Sequence, residues 1–201
     1  MNILDSKVYT FIEFIINLLI INLLWLISCL PIITIGPATT ALFAVVRDSV
    51  LYQETQIVKP YFIYFISYFK KSFVVGIILP ILIGAITINL LYFLNLRNLI
   101  ILPLFILFIV LIISGLTFLF PIIITYHISW IEIIKNSLLF SIMHFPITLI
   151  NLCIIVISLY CILMYPPTIF CIFSSSAYLI FLLCNSAFKT TGEKLLLRNN
   201  S

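Results

Sequence analysis

The sequence predicts an all-α, polytopic membrane protein: six transmembrane helices, or five if residues 37–52 form a re-entrant segment, with one amphipathic helix on the cytoplasmic side. Three observations carry this. Ten basic and six acidic residues cluster so tightly that four uncharged runs remain, 14–46, 72–96, 98–131 and 136–188. Each exceeds the roughly 20 apolar residues needed to cross the hydrocarbon core. Hydrophobic residues make up 64% of the 201-residue chain and charged residues 8%, against about 45–50% and 25% in soluble domains, so lipid must cover part of the surface. Finally, the basic residues are unevenly distributed among the connections, as orientation in a membrane requires.

A single membrane domain over 1–201 accommodates the runs. The first would be about 50 Å long as one straight helix, and Pro31, Gly36 and Pro37 interrupt it. Residues 8–30 read as the first span. Pro37 suits the first position of a new helix over 37–52, which is short because Arg47 arrives early. Residues 53–71 follow as a cytoplasmic interfacial segment. Across 59–73, Tyr61, Phe62, Tyr64, Phe65, Tyr68, Phe69 and Phe73, with Lys59, Lys70 and Lys71 toward the ends, match the headgroup preference of tyrosine and lysine better than nucleobase stacking. Spans over 72–95 and 99–126 are joined by a turn carrying Arg97. Ser129 and Glu132 have capping-box spacing and open an interfacial helix over 129–145, on which Ile131, Ile134, Leu138 and Ile142 share one face. The last spans, 147–164 and 168–188, are divided by Pro166-Pro167, and 189–201 is a polar cytoplasmic tail.

With six spans and the N-terminus inside, nine of the ten basic residues are cytoplasmic and only Arg97 is outside. Both span counts place the tail in the cytoplasm, as in a multi-pass bacterial plasma-membrane protein. Leu26-Ile27-Ser28-Cys29 has the look of a lipoprotein cleavage box, but more membrane segment follows it and Glu13 interrupts the preceding stretch, so an uncleaved first span is expected.

No catalytic constellation stands out, and neither an enzyme nor a cofactor is expected. The five cysteines lie in apolar runs without a Cys-x-x-Cys pair and read as small hydrophobes. His127 and His144 lack acidic neighbours at ligand spacing, so no metal is expected. Glu13 reads as interfacial. Asn17, Asn22, Thr87, Asn89, Asn151, Ser174, Ser175, Ser176, Asn185 and Ser186 read as helix-packing groups more than as a solute path. Two candidate sites remain. Pro31, Thr34, Gly36, Pro37, Thr39 and Thr40 form a broken-helix motif whose free backbone groups could serve a solute, as in transporters, or simply turn a helical hairpin at the outer surface. Glu132, Lys135 and Asn136 form a candidate cytoplasmic docking patch.

The segment Asn22-Leu23-Leu24-Trp25, continuing through Leu30-Pro31-Ile32-Ile33-Thr34-Ile35-Gly36-Pro37-Ala38-Thr39-Thr40-Ala41-Leu42, resembles the signature of the YesL-like family, bacterial integral membrane proteins defined as a domain of unknown function. Phe69-Lys70-Lys71-Ser72-Phe73 resembles its second landmark, with Ser72 where a larger polar residue such as asparagine is expected. Asn136-Ser137-Leu138-Leu139 and His144-Phe145-Pro146 resemble later ones. The resemblance implies a plasma-membrane protein that accompanies carbohydrate ABC importers, glycoside-degrading enzymes and two-component regulators. The expected partners are therefore the lipid bilayer and ABC importer subunits or a sensor kinase, with no nucleic acid. The expected role is an auxiliary component of carbohydrate uptake or envelope systems; the alternative is a small-solute permease using 30–42.

Overall fold

The computed structural model describes residues 3–96, 101–126 and 128–199, without the side chains of 3–7, 79, 80, 83, 90–96, 101–108, 111 and 192–199. The described residues form seven α-helices: α1 (Ile3–Ser28), α2 (Ile35–Tyr52), α3 (Val58–Leu96), α4 (Ile101–Thr125), α5 (Trp130–Met143), α6 (Phe145–Met164) and α7 (Ile169–Asn199). Short 3-10 turns, Ile32–Thr34 and Pro166–Thr168, join α1 to α2 and α6 to α7. Helices satisfy their own backbone hydrogen bonds, which a chain in lipid must do.

Four helical stretches among the described residues are long and apolar enough to cross a membrane: Val8–Ser28, Val58–Ile78, Phe145–Met164 and Pro166–Thr191. Ile112–Thr125 is a shorter apolar one. Several helices able to cross a membrane are thus present among the described residues. The 37–52 span is real as a helix but is enclosed by protein. Residues Gly36 to Val46 supply ten buried positions, and Arg47 and Asp48 follow.

The interfacial segment expected to end at 71 and the span expected from 72 are parts of one helix. That helix has 39 residues and is about 58 Å long. No helix breaker separates Lys71 from Val75, and Ser72 is buried against α2, so packing holds the helix together past the lysines. Residues 189–199 likewise continue α7 rather than forming a separate tail. The Arg97 connection and His127 lie outside the described residues.

α2 is the hub. It runs antiparallel to α3, with Gly36 against Ser72 and Gly76, Thr40 against Ser72, and Asp48 against Tyr64. On its other side Trp25 of α1 donates from Nε1 to Thr39 Oγ1 at 3.1 Å. α1 and α7 are also antiparallel, pairing Phe14 with Tyr178 and Trp25 with Phe173. The fully buried Asn22 joins them with both amide atoms: Nδ2 donates to Ile169 O at 2.7 Å, and Oδ1 accepts from Ser174 N–H at 3.2 Å. α4 and α5 form a hairpin in which Gly115 faces Leu138 and Phe118 faces Phe140. Outward positions such as Phe11, Ile12 and Ile16 on α1 and Val156, Ile157 and Leu163 on α6 are exposed and apolar, the pattern of a lipid-facing surface.

Candidate functional site

The 30–42 motif folds as a turn and a tight helix crossing. Thr34 Oγ1 lies 2.6 Å from both Ser28 O and Pro31 O, so its one proton serves a carbonyl at the end of α1 or in the turn that follows. Thr39 Oγ1 donates to Ile35 O at 2.7 Å while accepting from Trp25. Thr40 Oγ1 lies 2.9 Å from Gly36 O and 2.7 Å from Ser72 Oγ, fully buried. Pro37 sits in the first turn of α2, where its missing N–H costs nothing, and Pro31 is exposed in the preceding turn. Gly36 permits the crossing: a Cβ there would lie 2.2 Å from Ser72 O and 2.6 Å from Gly76 N. Gly76 is constrained reciprocally, with a Cβ falling 2.4 Å from Ile33 O. These contacts occupy the motif's three threonine hydroxyls with protein groups.

The crossing also overturns a paired expectation. The 30–37 turn was assigned to the outer surface and Lys70–Lys71 to the cytoplasmic one. Gly36 touches Ser72, so the two lie at one level, and a core about 30 Å thick cannot separate them. One of the two assignments fails.

At the far end of α2 the polar groups are arranged more openly. Gln53 ends the helix in the left-handed region (φ 55°), and residues 53–57 turn the chain into α3. A crevice of about 500 Å³ opens between this loop and α1, lined by Glu13, Asn17, Ser49, Gln53, Glu54 and Thr55 and backed by Phe14 and Tyr178. Asn17 Nδ2 bridges toward Thr55 O at 3.4 Å. Glu13 lines the same crevice. No described basic side chain lines this crevice.

Across the loop a second cleft, about 480 Å³, is lined by Arg47, Asp48, Tyr52, Glu54, Lys59 and Tyr64. Arg47 pairs with Asp48 Oδ1 at 3.0 Å and donates from Nη1 to Ile124 O at 2.5 Å. Its guanidinium lies 5.7 Å from the Tyr64 ring centroid, within cation–π range. Tyr64 in turn donates its hydroxyl to Asp48 Oδ2. The ion pair ties α2, α3 and α4 together. The sequence reading missed this cluster, although an Arg-Asp pair inside an apolar helix is itself a signal. Tyr64 had no such signal among so many aromatics.

The α5 cap forms as expected: Ser129 N–H and Oγ donate to Glu132 Oε2 at 3.0 and 2.8 Å. Bonds from the Ser129 hydroxyl and then its backbone N–H hold the Glu132 carboxyl below its ordinary pKa. Glu132 and Lys135 are exposed and Asn136 is half-buried. The inward face is Ile133, Ser137 and Ser141, whereas Ile131, Ile134 and Ile142 of the predicted apolar stripe point outward. Ser137 lines a groove beside α4 and Ser141 O accepts from Thr148 Oγ1 at 2.7 Å, and the apolar stripe is left for lipid or a partner.

The intramembrane polar residues also bond within the protein. Asn89 donates to Ala85 O, Asn151 Nδ2 to Cys184 Sγ, and Ser174, Ser175 and Ser176 to carbonyls one turn back. His144 lies 3.4 Å from Thr191 Oγ1. No group of three or more His, Cys, Asp or Glu among the described residues could hold a metal ion.

Comparison with known families supports the resemblance seen in the sequence. Residues 18–90 match the family described as protein of unknown function DUF624, to which YesL-like proteins belong. The match covers α1 from Leu18, the crossing and most of α3. Neither a curated protein nor a solved structure matches the chain.

Proposed function

We propose that this chain is an accessory membrane protein of a carbohydrate-uptake or envelope system that works by contact with other membrane proteins. The observation behind this is the internal engagement of the polar groups in the 22–42 motif. Asn22, Trp25, Thr34, Thr39 and Thr40 all hydrogen-bond to other parts of the chain, so the family signature builds a scaffold. The outward resources are then the apolar stripe of α5 and its Glu132 and Lys135. The carbohydrate setting rests on the resemblance to the YesL-like family. Affinity purification in mild detergent is expected to recover an importer or sensor-kinase subunit, and Glu132→Arg with Lys135→Glu should reduce that recovery. A protein that purifies alone under crosslinking would end this reading.

Orientation follows from helix direction. The start of α1, the end of α2, the start of α3 and the end of α7 share one end of the bundle. That end carries Lys7, Arg47, Lys59, Lys189, Lys194 and Arg198, six of the ten basic residues, and the positive-inside rule directs it to the cytoplasm. The C-terminus is then cytoplasmic. A C-terminal reporter active only outside the membrane should stay silent. Cysteines placed at Leu30 and Lys71 should react with a membrane-impermeant reagent from the same side; labelling from opposite sides would contradict the Gly36–Ser72 contact.

A second reading, a small-solute permease, is favoured by the crevice at Glu13 and Asn17 rather than by the 30–42 turn. It requires solute flux in proteoliposomes containing only this protein, reduced by Glu13→Gln. Absence of flux for sugars, amines and ions alike would remove it.

A further inference from the structure

The crevice beside the 53–57 loop joins an apolar wall to polar groups of one character. Its volume, about 500 Å³, is that of a small-molecule site. The wall is Phe14 and Tyr178, whose rings meet edge to face with centroids 5.0 Å apart, beside the buried Ile21 and Val45. The polar lining includes Glu13, half-buried on α1, and Glu54, exposed on the loop, with Asn17 and Ser49. Neither carboxylate forms an ion pair with a described basic side chain. One N–H of Asn17 and the hydroxyl proton of Ser49 are already engaged, by Thr55 O at 3.4 Å and Glu54 O at 3.3 Å. What these two side chains retain is mainly acceptor capacity, at Asn17 Oδ1 and the Ser49 lone pairs. The crevice therefore sets negative charge and surplus acceptors against an aromatic wall.

We propose that this crevice binds a protonated primary amine with a short aromatic or aliphatic body. The ammonium donates to Glu13 and Asn17, with Glu54 at the mouth, and the body lies along Phe14 and Tyr178. An ammonium brings three donors and no acceptor, the complement of this lining. A neutral alcohol of the same shape lacks the charge, and an anion is repelled by both carboxylates. Aromatic faces add attraction for a cation held beside them. The inference rests on the crevice that the permease reading uses and names its solute class, but binding needs no transport.

The test is calorimetric titration of the full chain in lipid nanodiscs with phenethylamine, 2-phenylethanol and 3-phenylpropionate, corrected for partition into lipid with empty nanodiscs. Phenethylamine is expected to bind saturably and about tenfold tighter than 2-phenylethanol, the factor that one hydrogen bond to a charged group supplies. No saturable binding of 3-phenylpropionate is expected. Glu13→Gln, which keeps the shape of the side chain, should weaken amine binding about tenfold. Glu54→Gln should weaken it less, because water screens an exposed carboxylate. Should Glu13→Gln fail to fold, the Glu54→Gln loss and the preference for amine over alcohol decide the matter. Equal affinity for amine and alcohol, no saturable amine binding, or an amine affinity unchanged by both substitutions overturns the site. Saturable amine binding without amine flux in proteoliposomes keeps the site and removes the permease reading. Amine flux without saturable binding overturns the site and leaves transport standing.

Discussion

The two ends of the α2–α3 pair are built from the same helices and treat polar groups in opposite ways. At the Gly36–Gly76 crossing, backbones approach closely enough to exclude even a methyl group, and hydroxyls bond across the gap. About 24 Å away along α2, the helices part around the 53–57 loop. There Glu13, Glu54 and Lys59 line open clefts. A motif dense in glycine, proline and threonine has become scaffold, and the part of the chain without a motif has kept its polar side chains available. Motif density in this chain marks close packing, which depends on specific small residues, more than it marks chemistry.

The sharpest way to break the contrast is at the crossing. Gly36→Leu sets a side chain against backbone atoms that cannot rotate away, so its effect should reach or exceed the roughly 1–3 kcal/mol usual for overpacking. Loss of folded protein in detergent thermal melts is expected, with Gly76→Ala nearly as severe. If Gly36→Leu melts like the parent, the close crossing is wrong.

Next is the ion pair, whose side chains are 19% and 14% exposed. Arg47→Met leaves Asp48 without its cation, and breaking a buried pair costs about 3–5 kcal/mol; the residual exposure places the expected loss at the lower end. The double variant Arg47→Met, Asp48→Leu should recover much of it. A double-mutant cycle in denaturant reads this coupling, and additive losses would show the pair to be independent.

Thr40→Val removes one buried hydroxyl–hydroxyl bond and leaves Ser72 Oγ without that partner, a loss of about 1 kcal/mol. Thr40→Val with Ser72→Ala should lose less than the sum of the singles in the same melts.

The smallest effect lies at the α5 cap. The folded pKa of Glu132 is lowered, so its contribution is complete above the ordinary carboxylate pKa and disappears as pH falls through the lowered value. Amide exchange in the first turn of α5 should speed up at acid pH in the parent, beyond the intrinsic pH effect. Glu132→Gln should lack that added step.

Much of the fold was legible. Uncharged runs marked the helices because each must bury or lipid-cover its length, and Pro31 with Pro166-Pro167 marked both 3-10 turns. The Ser129–Glu132 cap could be read because capping is local. That the interfacial segment and the following span share one unbroken helix was not set by the lysines, because charge clusters report solvent access, whereas helix continuity depends on the local backbone and on Ser72 packing against α2. The inward face of α5, Ile133 with Ser137 and Ser141, was not legible, because periodicity identifies an apolar stripe but not which other face packs on protein. Arg47 with Tyr64 and Ile124 required tertiary contacts across 16 and 77 positions.

Composition and charge spacing were enough to determine a helical, lipid-covered chain, because transfer energies act residue by residue and need no partner. Which helices are enclosed, which surfaces share a level and where polar groups stay open were decided only when α2 met α3. Those properties depend on distances between segments, and interatomic distance is not encoded in any local stretch.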